Sequence, residues 1–218
     1  MRMQARPSGK EILMGTKAAA GGEAELRIPV GEPPEASLRP VATVAGRTRP
    51  DDVRRLTRWR NRHVTAFLTE FEATEERTAR WLEQVVGPDP TRILFMVDDA
   101  GGRTVGYMGL AYIDWESRYG EVDAVVRGEE APRGCMTRAL HRLIGWARGD
   151  LGLLTLGVRV RSDNPALAFY RKAGYRESHR VALRRTEQAR EVHWVQDDSG
   201  SPQGVSLVFM RLAEAVPA

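Results

Sequence analysis

The chain of 218 residues contains one cysteine, Cys135, and four histidines. A single thiol excludes an internal disulfide and any cysteine-built zinc cluster, and the histidines stand too far apart for metal-ligand spacing. No run reaches the ~20 apolar residues that a membrane helix needs. The N-terminal residues carry charge but lack the apolar core of a signal peptide. Arginines are scattered, not gathered in runs, which argues against a nucleic-acid partner. What remains is an ordinary globular composition, 42% hydrophobic and 28% charged, with a formal charge of +4 and a pI near 9.6 that suit anionic ligands such as phosphates. The expectation is a cytoplasmic, metal-free domain with no membrane partner; a monomer and a homodimer both stay open.

Residues 1–37 are rich in Gly, Ala, Pro, Glu and Lys, and only 24–30 alternate as a strand does. They read as an N-terminal tail or an accessory edge strand. Residues 38–218 read as a single compact domain with a polar extension at 186–203. Within it the apolar periodicity predicts strands at 37–45, 92–99, 104–115, 121–128, 153–160, 175–185 and 204–212. Helices are predicted at 49–61, 74–86 and 133–152, with a further short one after Asn164. The order β-α-α-β-β-β-α-β-α-β-β places an antiparallel meander beside strand-helix-strand crossovers. That is an α+β fold with a mixed, mostly antiparallel central sheet flanked by helices.

Two stretches carry chemistry. The strand 121–128 ends in a loop with Arg133 and Gly134 that opens the helix carrying Thr137. Unpaired N–H groups and the helix dipole make such a terminus a site for phosphate. Thirty residues on runs "DNPALAFYRKAGY", 163–175. Asp163 or Asn164 can cap this helix, Pro165 suits its first turn, and Gly174 allows a left-handed exit. None of these explains Tyr170.

The pair "VVRGEEAPRGCMTRAL" and "NPALAFYRKAGY" resembles the Gcn5-related N-acetyltransferase (GNAT) superfamily, which binds acetyl-CoA. The family's Gln/Arg-x-x-Gly-x-Gly/Ala loop is matched by Gly134, with Ala131 in the first position and Met136 in the last small-residue position. Its Asn-x-x-Ala-x-x-Tyr-x-x-x-Gly-Phe pattern is matched by Asn164, Leu167, Tyr170, Gly174 and Tyr175. The resemblance implies a GNAT-like fold and cofactor contacts from Val125, Val126, Arg127, Arg133, Gly134, Cys135, Met136, Thr137, Arg138, Asn164 and Tyr170. It further implies that Tyr170 is the general acid beside the thioester sulfur.

That role is chemically coherent. A departing thiolate, with a thiol pKa near ~8.5, gains from a proton delivered by a phenol of pKa near ~10. Backbone N–H groups near Val126 could hold the oxyanion. Glu121 and Asp123, two apart on one strand, share a face and are the candidates for removing the amine proton, with Glu121 slightly preferred. Direct attack on the thioester is expected over relay through Cys135, which sits by the phosphate loop. "WRN" at 59–61 and the short helix after it resemble the amino-sugar branch of the superfamily, with ribosomal-protein N-terminal acetyltransferases as relatives. By that likeness Trp59, Arg60, Asn61 and Phe71, joined by Trp115 and Glu121, would wall the acceptor. The implied activity is acetyl transfer to a primary amine of a small molecule. A protein N-terminal acetyltransferase and a noncatalytic acyl-CoA-binding module are the alternatives.

Overall fold

The computed structural model describes residues 6–199 and 204–213. Ten strands among them form one mixed sheet in the order β1-β2-β4-β5-β6-β7-β10-β8-β9-β3. These are β1 (Ile28–Val30), β2 (Ala36–Pro40), β3 (Thr69–Glu70), β4 (Ile93–Asp99), β5 (Thr104–Asp114), β6 (Tyr119–Arg127), β7 (Thr155–Arg161), β8 (Tyr175–Gln188), β9 (Glu191–Gln196) and β10 (Ser206–Leu212). Every pairing is antiparallel except β6 with β7.

Helices α1 (Gly9–Ala19), α4 (Cys135–Gly149) and α5 (Ala166–Lys172) share one core with a face of the sheet. On the other face, α2 (Pro50–Arg62) and α3 (Glu75–Trp81) enclose a smaller core around Trp59, Leu82, Met96, Tyr107 and Val126. The stripe of Leu140, Leu143, Ile144 and Ala147 on α4 is buried, as its helical spacing predicts. Thr74 caps α3 by accepting from the Arg77 amide at 3.2 Å. The last turn, Leu82–Val86, widens to a π form that ends where Gly87 donates to the Leu82 carbonyl at 2.8 Å, ahead of Pro88.

The chief difference from the sequence reading lies at the N-terminus, where the tail composition hides α1. A capping box starts that helix: Ser8 accepts from the Glu11 amide and the Glu11 carboxylate reaches back to the Ser8 amide at 2.7 Å. Its few apolar residues include Leu13, which is fully buried. The alternating stretch 24–30 supplies the edge strand β1 at Ile28–Val30, and the strand expected at 37–45 is β2, which begins at Ala36 and ends at Pro40, with residues 41–45 irregular. The polar extension forms most of the β8–β9 hairpin and β9 pairs with β3, two strands that the sequence pattern does not separate from loop.

Two buried cations tie these layers together. Arg39 on β2 donates to both oxygens of Asp52 on α2, at 2.8 and 3.0 Å, and to Asp98 on β4 at 2.8 Å. Asp98 also accepts from the Thr104 hydroxyl, and its pKa lies below the usual carboxylate value because Arg39 and Thr104 outweigh the cost of burial. Lys17 on α1 donates to the carbonyls of Val86, Asp89 and Arg92 at 2.5, 2.6 and 3.2 Å. Burial pushes its pKa down to about 8, so it still carries charge at neutral pH. Lys17→Met strips the donor from three carbonyls, and the expected cost is roughly 2–4 kcal/mol. Thermal unfolding of the two proteins measures this as a clear fall in Tm; an unchanged Tm would show that α1 is held by its apolar face alone.

Candidate active site

The site begins with a failure of strand pairing. β6 and β7 run parallel for three residue pairs, Tyr119–Thr155, Gly120–Leu156 and Glu121–Gly157, and then part. Past Glu121 the β7-facing edge of β6 therefore has no partner, which leaves backbone donors and acceptors open along a gap between the strands. β6 also bulges against β5. Its register passes from Tyr107–Val126 to Gly109–Asp123, so one residue of β6 is extra, and Ala124 takes φ 53°. A bulge leaves a residue outside the ladder and turns neighbouring peptide groups off the sheet axis. This is the local geometry in which a backbone N–H at Val125 or Val126 can point at a developing oxyanion.

Both helices that follow the parting strands begin at its wide end. Gly134 precedes α4 with φ 81°, a conformation suited to glycine. Among the described residues, the amides of Gly134, Met136 and Thr137 donate to no acceptor in the chain. With Arg133 exposed beside them, these amides at the start of a 15-residue helix fit the diphosphate of coenzyme A. Of the loop carboxylates, Glu129 is turned away: it accepts from Trp59 Nε1 at 2.9 Å and pairs with Arg58. Cys135 and Met136 send their side chains into the core, so only their backbone faces the loop. Burial raises the Cys135 thiol pKa, which makes it a poor relay nucleophile. The bulk of Met136 is accommodated by Gly106, where a Cβ would come within 3.0 Å of the methionine sulfur. Arg138 folds back onto Glu35, donating through Nη2 at 2.9 Å, and onto the Arg133 carbonyl at 3.2 Å. Arg127 is exposed and Val126 buried, while Val125 is half-buried.

On the opposite bank, Asn164 does the capping. Its Oδ1 accepts from the Ala166 amide at 2.9 Å, and its Nδ2 donates to the Ala66 carbonyl at 3.2 Å. Asp163 is instead gripped by Arg161 through both carboxylate oxygens, at 3.0 and 2.6 Å. Gly174 makes the left-handed exit with φ 96°. Tyr170 is 5% exposed and edge-on to Tyr175 and Phe169. Its hydroxyl makes no hydrogen bond among the described residues. Burial, then the neighbouring Tyr175 and Asp123, raises its pKa above the ordinary phenol value, so the hydroxyl is protonated at neutral pH.

The two carboxylates of β6 differ sharply. Glu121 accepts from Arg159 Nε at 2.6 Å and from the Tyr119 hydroxyl at 2.9 Å. Asp123 has no side-chain partner among the described residues; burial raises its pKa, opposed by Arg92, the Ala124 amide and Arg159. A carboxylate without a side-chain partner and raised in pKa is the better placed to take a proton near neutrality. The geometry thus favours Asp123 over Glu121.

The expected acceptor wall is not assembled. Trp59 is 0% exposed, stacked on Tyr107 at 6.2 Å, and lies flat against Gly128. Asn61 exchanges two hydrogen bonds with the backbone of Ala73, at 2.9 and 2.8 Å. Arg60 donates to the carbonyls of Phe71 and Thr69, and the Phe71 ring is clasped between Arg60 at 3.6 Å and Arg77 at 3.4 Å. Trp115 packs toward α1 and donates to the Pro90 carbonyl at 3.1 Å. All five residues therefore hold the α2–α3 connection or the core, because tryptophan and a reciprocally bonded asparagine satisfy the buried backbone there. Residues the sequence reading passed over line the open part of this face instead: Arg92, Tyr112, Tyr119, Arg159 and Phe209. Alternation in β7, which puts Arg159 and Arg161 on one face, was the available signal.

A parted parallel strand pair, an amide-lined helix terminus on one bank and a buried phenol on the other offer what acyl transfer from a thioester requires. The acetyltransferase (GNAT) domain model matches residues 46–176, and the chain belongs to that family. It is an acetyltransferase of a family that uses acetyl-CoA. No curated protein sequence matches the chain. Among solved structures, a probable GNAT-family acetyltransferase from Chromobacterium violaceum is 18% identical with a TM-score of 0.63, covering 88% of each chain. The spermidine N-acetyltransferase of Vibrio cholerae, solved with CoA and spermine, is 16% identical with a TM-score of 0.61 over 82% of this chain and 96% of its own. At these identities the likeness speaks for the fold. No helix among the described residues is long and apolar enough to cross a membrane.

Gly134→Glu would place a carboxylate among the loop amides. The expected result is an acetyl-CoA Kd raised at least tenfold, read by calorimetry, alongside the modest fall in Tm that a side chain at φ 81° brings; equal affinity would remove the loop from the cofactor site.

Proposed function

We propose that the protein transfers an acetyl group from acetyl-CoA to the primary amine of a small molecule by direct attack on the thioester. The observation that carries this reading is the gap between β6 and β7, with Asp123 on one bank and the unbonded Tyr170 hydroxyl on the other. Acetyl-CoA would supply the activated carbonyl. Asp123 takes a proton from the incoming ammonium, which frees the nitrogen lone pair that forms the new C–N bond. Backbone N–H groups at the Ala124 bulge stabilise the oxygen as it gains charge. Tyr170 gives its proton to the sulfur as the C–S bond breaks; the nitrogen, cationic after attack, sheds its second proton as the intermediate collapses, which restores the phenol through water in the gap, and Asp123 returns its proton to solvent.

Amino sugars, free or nucleotide-linked, are the acceptor class that the resemblance of "WRN" suggests. That suggestion now rests on the motif alone, since Trp59, Arg60 and Asn61 serve packing. The test is CoA release across amino sugars, nucleotide-linked amino sugars, aminoglycosides, polyamines and short peptides. Release with small amines and none with peptides supports the reading; release with peptides alone would replace it by a protein N-terminal acetyltransferase. Tight acetyl-CoA binding without release on any amine would leave a noncatalytic acyl-CoA module.

Two substitutions probe the roles. Tyr170→Phe should lower kcat by about 10²-fold or more while acetyl-CoA affinity holds, a loss typical of removing a general acid. Asp123 works only when ionised, and its pKa is raised, so kcat/KM should climb with pH through an ionisation above the usual ~3.9 of aspartate. In Asp123→Asn that rising limb should vanish; an unaltered profile would assign proton removal elsewhere.

A further inference from the structure

The sheet face opposite α4 is only partly roofed. α2 and α3 cover the region of Leu94, Met96, Tyr107 and Val126, and beyond them a trough of half-buried to exposed side chains, Tyr112, Tyr119, Arg159, Phe209 and His179, crosses β5, β6, β7, β10 and β8. A second bulge shapes its rim. The β5–β6 register steps from Ala111–Glu121 to Asp114–Tyr119, which makes one residue of β5 extra, and Tyr112 takes φ 52°. A left-handed conformation disfavours a tyrosine by about 1–2 kcal/mol, so something must hold it. Here the ring, 54% exposed, lies against the Arg159 guanidinium at 3.9 Å and faces that of Arg92 at 5.8 Å. Beyond Arg159 the row continues through Phe209 at 5.9 Å to His179, stacked on Phe209 at 4.2 Å. The floor of the trough is therefore a line of flat aromatic and guanidinium surfaces.

The charges of the trough are unequally used. Arg159 and Glu121 neutralise each other at 2.6 Å. Arg92 makes no ion pair among the described residues, and its Nε is buried without an acceptor. Asp89 lies near enough to interact with Arg92, but its carboxylate is taken by the Thr91 amide and hydroxyl at 2.8 and 2.6 Å. Lys17 lies behind, committed to backbone carbonyls. The Nε itself is closed to solvent, but the residue is only half-buried and its charge has no carboxylate partner among the described residues, which leaves its Nη groups as the ones an anion would meet. Arginine's fork is matched by the oxygens of a carboxylate or phosphate.

We infer that the acceptor amine carries an anionic group, carboxylate or phosphate, which Arg92 receives while Tyr112 and Arg159 carry the body of the molecule. This rests on the acetyl-transfer reading above, because Asp123, the proposed base, lies within the field of both Arg92 and Arg159. It also separates this chain from an enzyme for polycationic amines. Such a substrate needs several free carboxylates; Glu121 is paired with Arg159, which leaves Asp123 facing two arginines.

The test uses the full-length protein and matched acceptors: glucosamine against glucosamine 6-phosphate, and glycinamide against glycine, with spermidine as the cationic control. The phosphate and carboxylate arms distinguish the two sources of the anion. The expected result is a kcat/KM at least tenfold higher for the anionic member of one pair, and a ratio that falls toward one in Arg92→Gln. Acetyl-CoA affinity and Tm of the variant report whether the fold and cofactor site are intact; if the variant fails to fold, Arg92→Lys, which keeps the charge and loses the fork, should lower the same ratio in part. Faster turnover of neutral amines or spermidine would overturn the inference and leave acetyl transfer standing, as would a ratio untouched by Arg92→Gln. No CoA release with any amine would sink the acetyl-transfer reading and this inference with it.

Discussion

Everything at the candidate site follows from the short parallel contact between β6 and β7. Three pairs hold the strands together at Tyr119–Glu121, and both then diverge toward their C-terminal ends. Were the pairing to continue, the N–H and C=O groups of β6 past Glu121 would be spent on the ladder and no ligand could enter between the strands. The bulges on β5 and β6 belong to the same constraint. Each adds twist and tilts its strand. The β6 bulge at Ala124 takes a residue out of the ladder beside the gap, and the β5 bulge at Tyr112 sets a ring against Arg159.

Charge division follows burial. Arg39 and Lys17 lie deep and are matched by acceptors from several elements, which makes them ties between layers. Arg161 forms a third tie at the far edge: it binds Asp163, Glu70 and the Phe67 carbonyl and lies 4.1 Å from the centre of Trp194, itself hydrogen-bonded to Glu70. Through it the β8–β9 hairpin and the α2–α3 connection are fixed to the end of β7, beside Asn164. The bank of the gap opposite α4 is thus built by parts of the chain remote in sequence.

The long periodic elements could be read from the sequence, and so could the two motifs that flank the gap. The stripe of α4, Gly134 before it and Gly174 after α5 carry their reasons locally, in apolar spacing and backbone freedom. α1 could not be read in the same way, because its burial rests on Leu13 and on a lysine whose three acceptors lie some seventy residues away. The acceptor side was illegible for another physical reason. Spacing says which residues share a strand face only until a bulge intervenes, and no sequence rule puts a tyrosine at φ 52° or an alanine at φ 53°. Trp59 and Asn61 likewise have the chemistry of a binding wall, and only their partners, Glu129, Tyr107 and the Ala73 backbone, reveal packing.

The contact between Trp59 and Gly128 has a consequence for how the loop meets its ligand. A Cβ at position 128 would fall within 2.0 Å of the indole, so the start of the 128–134 loop lies flush on a rigid ring that is itself anchored in the α2 core. Gly128 and Glu129 both donate to the Val105 carbonyl at 2.9 Å, and Arg62 holds the Gly128 carbonyl at 2.5 Å. The loop entrance is thus ordered during folding. Its conformational entropy is lost once, when the chain collapses, and is not charged again to each arriving ligand. The indole acts as a backstop, and affinity for a flexible, highly charged molecule starts from a surface already in shape.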